Sequence, residues 1–209
     1  MQTAHARIIL HPALTMQEKR AAMDAARTFH RFGVESDCID DFGKAGMRAL
    51  REVKRGEKLH GMVMGGDALV RVMDLRSESL WVLFFDKRIF GLGITPFKLY
   101  EVLDGQPCTV EPRIGLSLPN AAGIVSLHAI RGELDGDEAA DAATAAVRHE
   151  LGHVFGRTGH CTNASCIMQA NENFLDFVER FVKPKLDFCR ECEGTLHRHL
   201  AETAAQYRS

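Results

Sequence analysis

The sequence predicts a mixed α/β fold, in which helices flank a mostly parallel, twisted sheet and a small subdomain follows at the C-terminus. Apolar runs alternate with amphipathic stretches over the first 155 residues, and the composition changes after about residue 156. Four of the six cysteines then fall between residues 161 and 192. We expect one domain over residues 1–209, with an α/β N-terminal subdomain at 1–156 and a C-terminal subdomain at 157–209.

Bulk properties narrow the class of protein. With 209 residues, of which 45% are hydrophobic and 26% charged, the chain resembles ordinary globular proteins rather than disordered ones. The formal net charge of −2 predicts no general attraction to nucleic acid or to an anionic membrane. The apolar stretch before Pro12 is too short for a signal peptide or a membrane span. The expected location is the cytoplasm, and the expected state is a monomer.

The N-terminal part of the chain alternates predicted strands and helices. Residues 7–10 (RIIL) form a predicted buried strand, residues 16–32 an amphipathic helix and residues 34–39 (VESDCI) a second strand. This order is typical of a βαβ unit, which implies a parallel sheet. Further along, the pattern predicts a helix at 44–54 and strands at 59–65, 81–86 and 123–130. The strand at 123–130 (GIVSLHAI) is either an edge strand that binds an extended peptide or an interior strand.

The longest predicted helix begins near Asp135, because Asp135-x-x-Glu138 can form a capping box with the free backbone N–H groups. An apolar stripe at helical spacing predicts the face that packs on the sheet: Ala140, Ala143, Val147, Leu151 and Val154. The roughly opposite face carries His149 and His153. Gly156 lies where the helix is expected to end, since glycine tolerates the left-handed backbone found there.

Residues 149–153 (HELGH) match the pattern H-E-x-x-H, and residues four apart on a helix lie one above the other. Both imidazoles can therefore reach one metal ion. Catalytic zinc commonly takes three protein ligands and one water, so a third ligand is expected beyond Gly156, and His160 is the candidate. Zinc lowers the pKa of its water to about 7, and the Glu150 carboxylate is placed to take the proton. Peptide or protein substrates are expected, because this chemistry suits amide hydrolysis.

The alternative is that HELGH is ordinary helical sequence with its polar residues in solvent. A glycine turn, a further histidine and cysteines at ligand spacing follow it directly, and this combination favours a metal site.

Two cysteine pairs, Cys161-x4-Cys166 and Cys189-x2-Cys192, can each present two thiolates to a tetrahedral zinc ion. Such four-cysteine sites are closed to water and contribute directly to folding. A redox role for the C-x-x-C pair is the alternative, although it leaves the first pair without a function. Cys38 and Cys108 have no partners at ligand spacing, and we expect both to be small buried residues.

Residues 149–168 (HELGHVFGRTGHCTNASCIM) and 189–192 (CREC) resemble the archaemetzincins, a family of metzincin-type metallopeptidases. The family's pattern is H-E-x-x-H-x-x-G-x-x-H-C-x4-C-x-M followed by C-x-x-C, and the match covers about residues 149–192. The resemblance implies a metzincin-like fold with two zinc ions, one catalytic and one structural. Its implied site residues are the zinc ligands His149, His153 and His160, the general base Glu150, the turn methionine Met168, and the structural ligands Cys161, Cys166, Cys189 and Cys192.

The chain departs from this pattern at two places. Three residues rather than two separate Gly156 from His160, which changes where the third imidazole points. Gly159 can allow a bulge that restores its direction. Twenty residues rather than about seventeen separate Met168 from Cys189, which the amphipathic stretch at 171–188 can absorb as nearly one helical turn.

Two other functions compete with peptide hydrolysis. The first is a non-catalytic zinc-binding protein, in which a displaced His160 leaves a degenerate metzincin site. The second is nucleic-acid binding through the cysteine pairs, which no basic stripe supports. His128 either contacts substrate or forms its hydrogen bonds within the fold or with solvent. His197 and His199 are expected on a solvated helix face.

Overall fold

The computed structural model describes residues 4–39, 62–64, 89–96, 98–103, 106–108, 114–119, 122–171 and 173–206. The strands in these ranges are β1 (Ala4–Leu10), β2 (Val34–Ile39), β3 (Met62–Met64), β4 (Ile89–Thr95), β5 (Lys98–Leu103), β6 (Gln106–Cys108), β7 (Gly115–Leu118) and β8 (Ala122–Ser126). The α-helices are α1 (Met16–Arg27), α2 (His128–Glu133), α3 (Gly136–Val154), α4 (Phe174–Phe177) and α5 (Arg190–Gln206). A 3-10 helix at Thr28–Phe32 extends α1, and a π-helical turn at Val178–Val182 extends α4.

The main sheet has five strands in the order β2-β1-β4-β8-β7. Its first four strands are parallel, and β7 pairs antiparallel with β8 at one edge. A second sheet contains β3, β5 and β6 in that order. The predicted mixed α/β fold with a mostly parallel sheet is confirmed.

The first βαβ unit forms as predicted because its helix has a strong start and a defined end. The Thr15 side chain caps α1 by accepting a hydrogen bond from Glu18 N, and the Glu18 carboxylate accepts one from Thr15 N, which completes a capping box. Gly33, with φ of 77°, ends the 3-10 turn in the left-handed conformation before β2 begins. Register pairs Ala4 with Val34 and Ile9 with Ile39, so β1 and β2 are parallel.

The prediction of one strand over residues 123–130 is wrong at its C-terminal end, and of the two alternatives for this strand the interior one is confirmed. The strand ends at Ser126, and His128 begins α2 instead of continuing the strand. β8 is also an interior strand, since it lies between β4 and β7 and all five of its residues are buried. A strand covered on both faces is a run of apolar residues, which a sequence pattern alone does not separate from an edge strand. Among the described strands, β7 and β2 form the two edges of this sheet.

Five further predictions have different outcomes. The strand at 59–65 is present as β3, and the predicted helix at 44–54 and strand at 81–86 lie outside the described residues. Cys38 is exposed rather than buried, because it lies on β2 at the other edge of the sheet. The Cys108 side chain lies outside what the structure describes.

The long helix α3 begins where expected, at Gly136 after the N-cap Asp135. The predicted capping box is absent, because the Asp135 side chain makes no capping hydrogen bond. Gly136 enters the helix with φ of 51°, which is far from the dihedrals of an ordinary first turn. From Ala142 to Val154 the helix is buried on most sides, including Ala143, Val147 and Leu151 from the predicted stripe.

The hydrophobic core extends across residue 156. Phe29 contacts both Phe155, at 5.0 Å between ring centroids, and Phe188, at 5.5 Å. The prediction of one domain over residues 1–209, with a division into subdomains at residue 156, stays a prediction. Within the described ranges, no helix combines the length and the apolar character that crossing a bilayer requires.

Candidate active site and metal centres

His149 and His153 lie one turn apart on α3 with their Nε2 atoms 3.1 Å from each other. The Nδ1 atom of His149 is 2.7 Å from the Ile167 carbonyl oxygen, and that of His153 is 2.7 Å from the Arg157 carbonyl oxygen. A carbonyl oxygen can only accept, so each Nδ1 carries the hydrogen and donates it. Each Nε2 of the neutral rings therefore presents a lone pair to the other.

Burial favours the neutral form of both rings. It lowers the pKa of His149 to about 4, and it also lowers the pKa of His153. Two lone pairs that face each other at 3.1 Å repel unless a cation lies between them. A tetrahedral zinc ion with bonds of roughly 2.0–2.1 Å would hold two nitrogen atoms about 3.3 Å apart, so the pair fits zinc.

His160 completes a group of three imidazoles. The ligand nitrogens of His149, His153 and His160 all lie within 4.8 Å of one another, although His160 is exposed and His149 is buried. The chain after His160 is held by a backbone hydrogen bond of 2.7 Å from Cys161 N to Met168 O. The additional residue before His160 therefore does not carry the third imidazole out of reach. Gly159 is not the reason, because its φ is not positive and a Cβ there would meet nothing within 4 Å.

The turn between the two parts of this site is a Schellman motif at the end of α3. Gly156 N donates to His153 O at 3.0 Å, and Arg157 N donates to Gly152 O at 3.0 Å. Gly156 has φ of 107°, where side chains are strained, and a Cβ there would overlap the His199 ring. The predicted helix end is confirmed.

Glu150 is buried beside the three histidines. The Ser117 hydroxyl of β7 donates to Oε2 of Glu150, and a Cβ built on Gly115 would overlap the same carboxyl group. Burial raises the pKa of Glu150 above its ordinary value, although the Ser117 hydrogen bond acts in the opposite direction. The arrangement provides a carboxylate for proton transfer next to a group of metal ligands.

Met168 lies beneath the helix turn that carries the first two histidines. It is fully buried, and a Cβ on Gly152 would overlap its sulfur atom. The methionine and the helix backbone therefore pack closely because residue 152 has no side chain. This is the position in which the sequence resemblance placed a turn methionine.

The four cysteines of the two predicted pairs form a second cluster, with all sulfur atoms within 4.8 Å of one another. The sulfurs of Cys161 and Cys189 are 3.7 Å apart, and zinc–sulfur bonds of about 2.3 Å in a tetrahedron require about 3.8 Å. Backbone N–H groups donate to two of the sulfurs, from Asn163 to Cys161 at 3.4 Å and from Cys189 to Cys166 at 3.3 Å. The donor set fits a closed zinc site.

The candidate catalytic cleft has a volume of about 1040 Å³ and contains the three histidines and Glu150. Its walls come from β7, α2 and α4, and Leu175 on α4 stands 71% exposed there. His128, at the start of α2, lines the same cleft. His197 instead contacts Phe32, with 4.8 Å between ring centroids and 60° between the ring planes.

Sequence reasoning missed the contribution of β7. Gly115 and Ser117 contact Glu150, yet they belong to a strand of four residues without any motif. The alternation of glycine, leucine, serine and leucine is the only local signal, and it predicts a half-buried strand without indicating its neighbour.

Comparisons with known proteins agree with this geometry. The family model described as peptidase family M54 matches residues 140–198. The chain is 33% identical over 139 residues to an archaemetzincin from Pyrococcus horikoshii, which covers 62% of this chain and 68% of that protein.

Solved structures share the fold. An archaemetzincin from Methanopyrus kandleri superposes with a TM-score of 0.63 and 18% identity, covering 96% of this chain and 97% of its own. A zinc-dependent peptidase from Methanocorpusculum labreanum gives a TM-score of 0.65 and 24% identity, covering 91% and 99% respectively.

Proposed function

This chain belongs to the archaemetzincin family of zinc metallopeptidases, and on that premise we propose that it hydrolyses peptide bonds with Glu150 as the general base. In this proposal His149, His153 and His160 hold the catalytic zinc. The observation that carries it is the pair of neutral imidazoles whose Nε2 atoms lie 3.1 Å apart beside a buried carboxylate.

The chemistry divides between the metal and the side chains. When bound, zinc lowers the pKa of a coordinated water and polarises the scissile carbonyl group. Glu150 takes a proton from the attacking water as the water oxygen bonds to the carbonyl carbon. Glu150 then returns that proton to the amine nitrogen as the carbon–nitrogen bond breaks. Its raised pKa, caused by burial, brings the carboxyl group closer to neutral pH, where one group can both accept and release a proton.

The cleft supports an extended peptide as the substrate. β7 is the edge strand of the main sheet and lines the cleft through Gly115, Leu116 and Ser117. A peptide that lies along this edge can hydrogen-bond to backbone groups without regard to its sequence. Phe174 and Leu175 provide an apolar surface on the wall formed by α4, which suits an apolar side chain.

A second zinc ion, held by the four cysteines, completes the proposal. Burial raises the pKa of Cys166 and of Cys192, so these thiols keep their protons until a metal displaces them. Reduced cysteines that serve as metal ligands are typical of the cytoplasm, which is the location we propose.

The test compares Glu150→Ala with the natural chain in a peptide-library digest, after zinc has been counted in both proteins. Removing the base should abolish cleavage while two zinc ions remain, because the substitution removes no proposed ligand. Glu179→Ala is the matched control, since Glu179 is an exposed carboxylate in a surface ion pair with Lys183. Unchanged turnover in Glu150→Ala would exclude the role. A single zinc ion and no hydrolysis in the natural chain would favour the non-catalytic zinc-binding alternative.

A further inference from the structure

The Glu150 carboxyl group lies in a close-fitting recess formed by the edge strand β7 and its neighbour β8, which we call the carboxylate seat and define as Gly115, Ser117 and Gly123. The Ser117 hydroxyl donates to Oε2 of Glu150. Gly115 lies directly against the carboxyl group, because any Cβ at this position would overlap its carbon and one of its oxygens. The side chain of Glu150 therefore meets β7 at two alternate residues, which point to the same face of a strand.

The third residue of the carboxylate seat leaves room for the serine. Ser117 pairs with Gly123 on β8, and a Cβ on Gly123 would lie 2.9 Å from the Ser117 oxygen. The same Cβ would lie 2.9 Å from a methyl group of Val154, so this face of the two strands packs against α3. A larger residue at 123 would displace either the hydroxyl or the helix. Two glycines thus flank one hydrogen bond between the edge strand and the helix that carries Glu150.

We propose that Ser117 is a positioning residue, which holds the Glu150 carboxylate in the conformation that accepts the proton from water. This inference rests on the function proposed for Glu150. A glutamate side chain has three rotatable bonds, and a buried carboxylate without a donor is costly. The hydroxyl group can also accept a hydrogen bond, so the contact persists after Glu150 takes up the proton.

Three substitutions at residue 117 separate the effect of the hydroxyl group from the effect of side-chain size. Ser117→Ala removes the hydroxyl. Ser117→Val and Ser117→Thr introduce side chains of nearly the same size and shape, and only threonine keeps the hydroxyl. We expect alanine and valine to lower kcat at least roughly tenfold, with KM within about twofold and zinc content unchanged. Threonine should restore most of kcat. Any loss of folding caused by the added methyl is shared by the valine and threonine proteins, so their comparison stays informative.

Ser36→Ala is the matched control, because Ser36 lies on β2 at the opposite edge of the same sheet and contacts His30 with its hydroxyl. It should leave kcat unchanged. A crystal structure of Ser117→Ala should show the Glu150 side chain moved away from Gly115, which is a result independent of activity.

Two results would overturn the inference: full kcat in Ser117→Ala, or a threonine protein as impaired as the valine protein. Glu150→Ala, measured in parallel, separates this failure from that of the proposed function. If Glu150→Ala is inactive and Ser117→Ala is fully active, only the positioning role fails. If Glu150→Ala is fully active, the general-base role itself fails.

Discussion

His149 and Ile167 are joined by a hydrogen bond of 2.7 Å from the imidazole Nδ1 to the backbone carbonyl oxygen. The Ile167 N–H in turn donates to the Asp187 carbonyl oxygen at 3.0 Å, and the Asp187 carboxylate accepts a hydrogen bond from Arg148. Asp187 lies two residues before Cys189. The first histidine of the candidate catalytic site is therefore connected to the segment that carries the second cysteine pair through one hydrogen bond from its side chain and one between backbone groups.

This connection predicts that loss of the cysteine site weakens the catalytic site as well. Cys189→Ser should lower the free energy of unfolding by at least about 2 kcal/mol, because it removes one thiolate from the proposed structural zinc site, and such sites contribute to folding. Thermal unfolding measures the loss of stability, and metal analysis measures how much zinc each site retains. Cys38→Ser is the matched control, since Cys38 is exposed and lies far from the cluster in sequence. An unaltered melting temperature with two zinc ions retained in Cys189→Ser would contradict the structural role.

Removal of the third imidazole should weaken the catalytic zinc selectively. His160→Ala is expected to reduce zinc affinity by more than the roughly 10- to 100-fold that loss of an outer-shell partner causes, since a direct ligand is lost. Competition with a chelator measures this affinity, and the cysteine site should keep its zinc. His197→Ala, which changes an exposed histidine that contacts the Phe32 ring, is the control. If both histidine variants bind zinc like the natural chain, another group completes the site.

Glycine at residue 152 is required by the methionine beneath it. Gly152→Ala should destabilise the protein by about 1–3 kcal/mol, because the new Cβ would overlap the Met168 sulfur and lie 3.0 Å from the Phe188 ring. Gly194→Ala offers the opposite sign within α5, since its Cβ would meet only an Arg198 nitrogen at 3.8 Å. There we expect a stabilisation of about 0.5–1 kcal/mol from helix propensity. Urea unfolding of both variants decides whether close packing or propensity determines each result.

Acid should remove the contribution of one ion-pair cluster to stability. Burial acts to raise the pKa of Asp37, but hydrogen bonds and charge from His5 and Arg7 outweigh it and lower this pKa. A carboxylate with a lowered pKa in the folded state stabilises the protein above its unfolded pKa of roughly 4, and this is lost as the pH falls further. Asp37→Asn should therefore lower Tm at pH 7 but by less at pH 3. Asp24→Asn, in an exposed pair with Arg27, should change Tm little at either pH.

Local features of this protein were predicted from the sequence because neighbours along the chain determine them. The spacing of HELGH brings His149 and His153 together on any α-helix, since four residues make about one turn. Gly156 ends that helix because glycine, which has no side chain, adopts a positive φ without strain. The two cysteine pairs were likewise visible as ligands at short spacing. In these cases the geometry does not depend on distant parts of the chain.

Only the tertiary structure decided which distant residues meet at the cleft. Ser117 reaches Glu150 across 33 positions of sequence, through pairing of β7 with β8 and packing of β8 on α3. His160 stays close to the other histidines because the Cys161 backbone N–H donates a hydrogen bond to the Met168 carbonyl oxygen, although the local spacing suggested that His160 would be displaced. His128 proved to begin a helix instead of continuing a strand. Strand order and packing depend on contacts between residues far apart in the chain, and short apolar runs do not specify those partners.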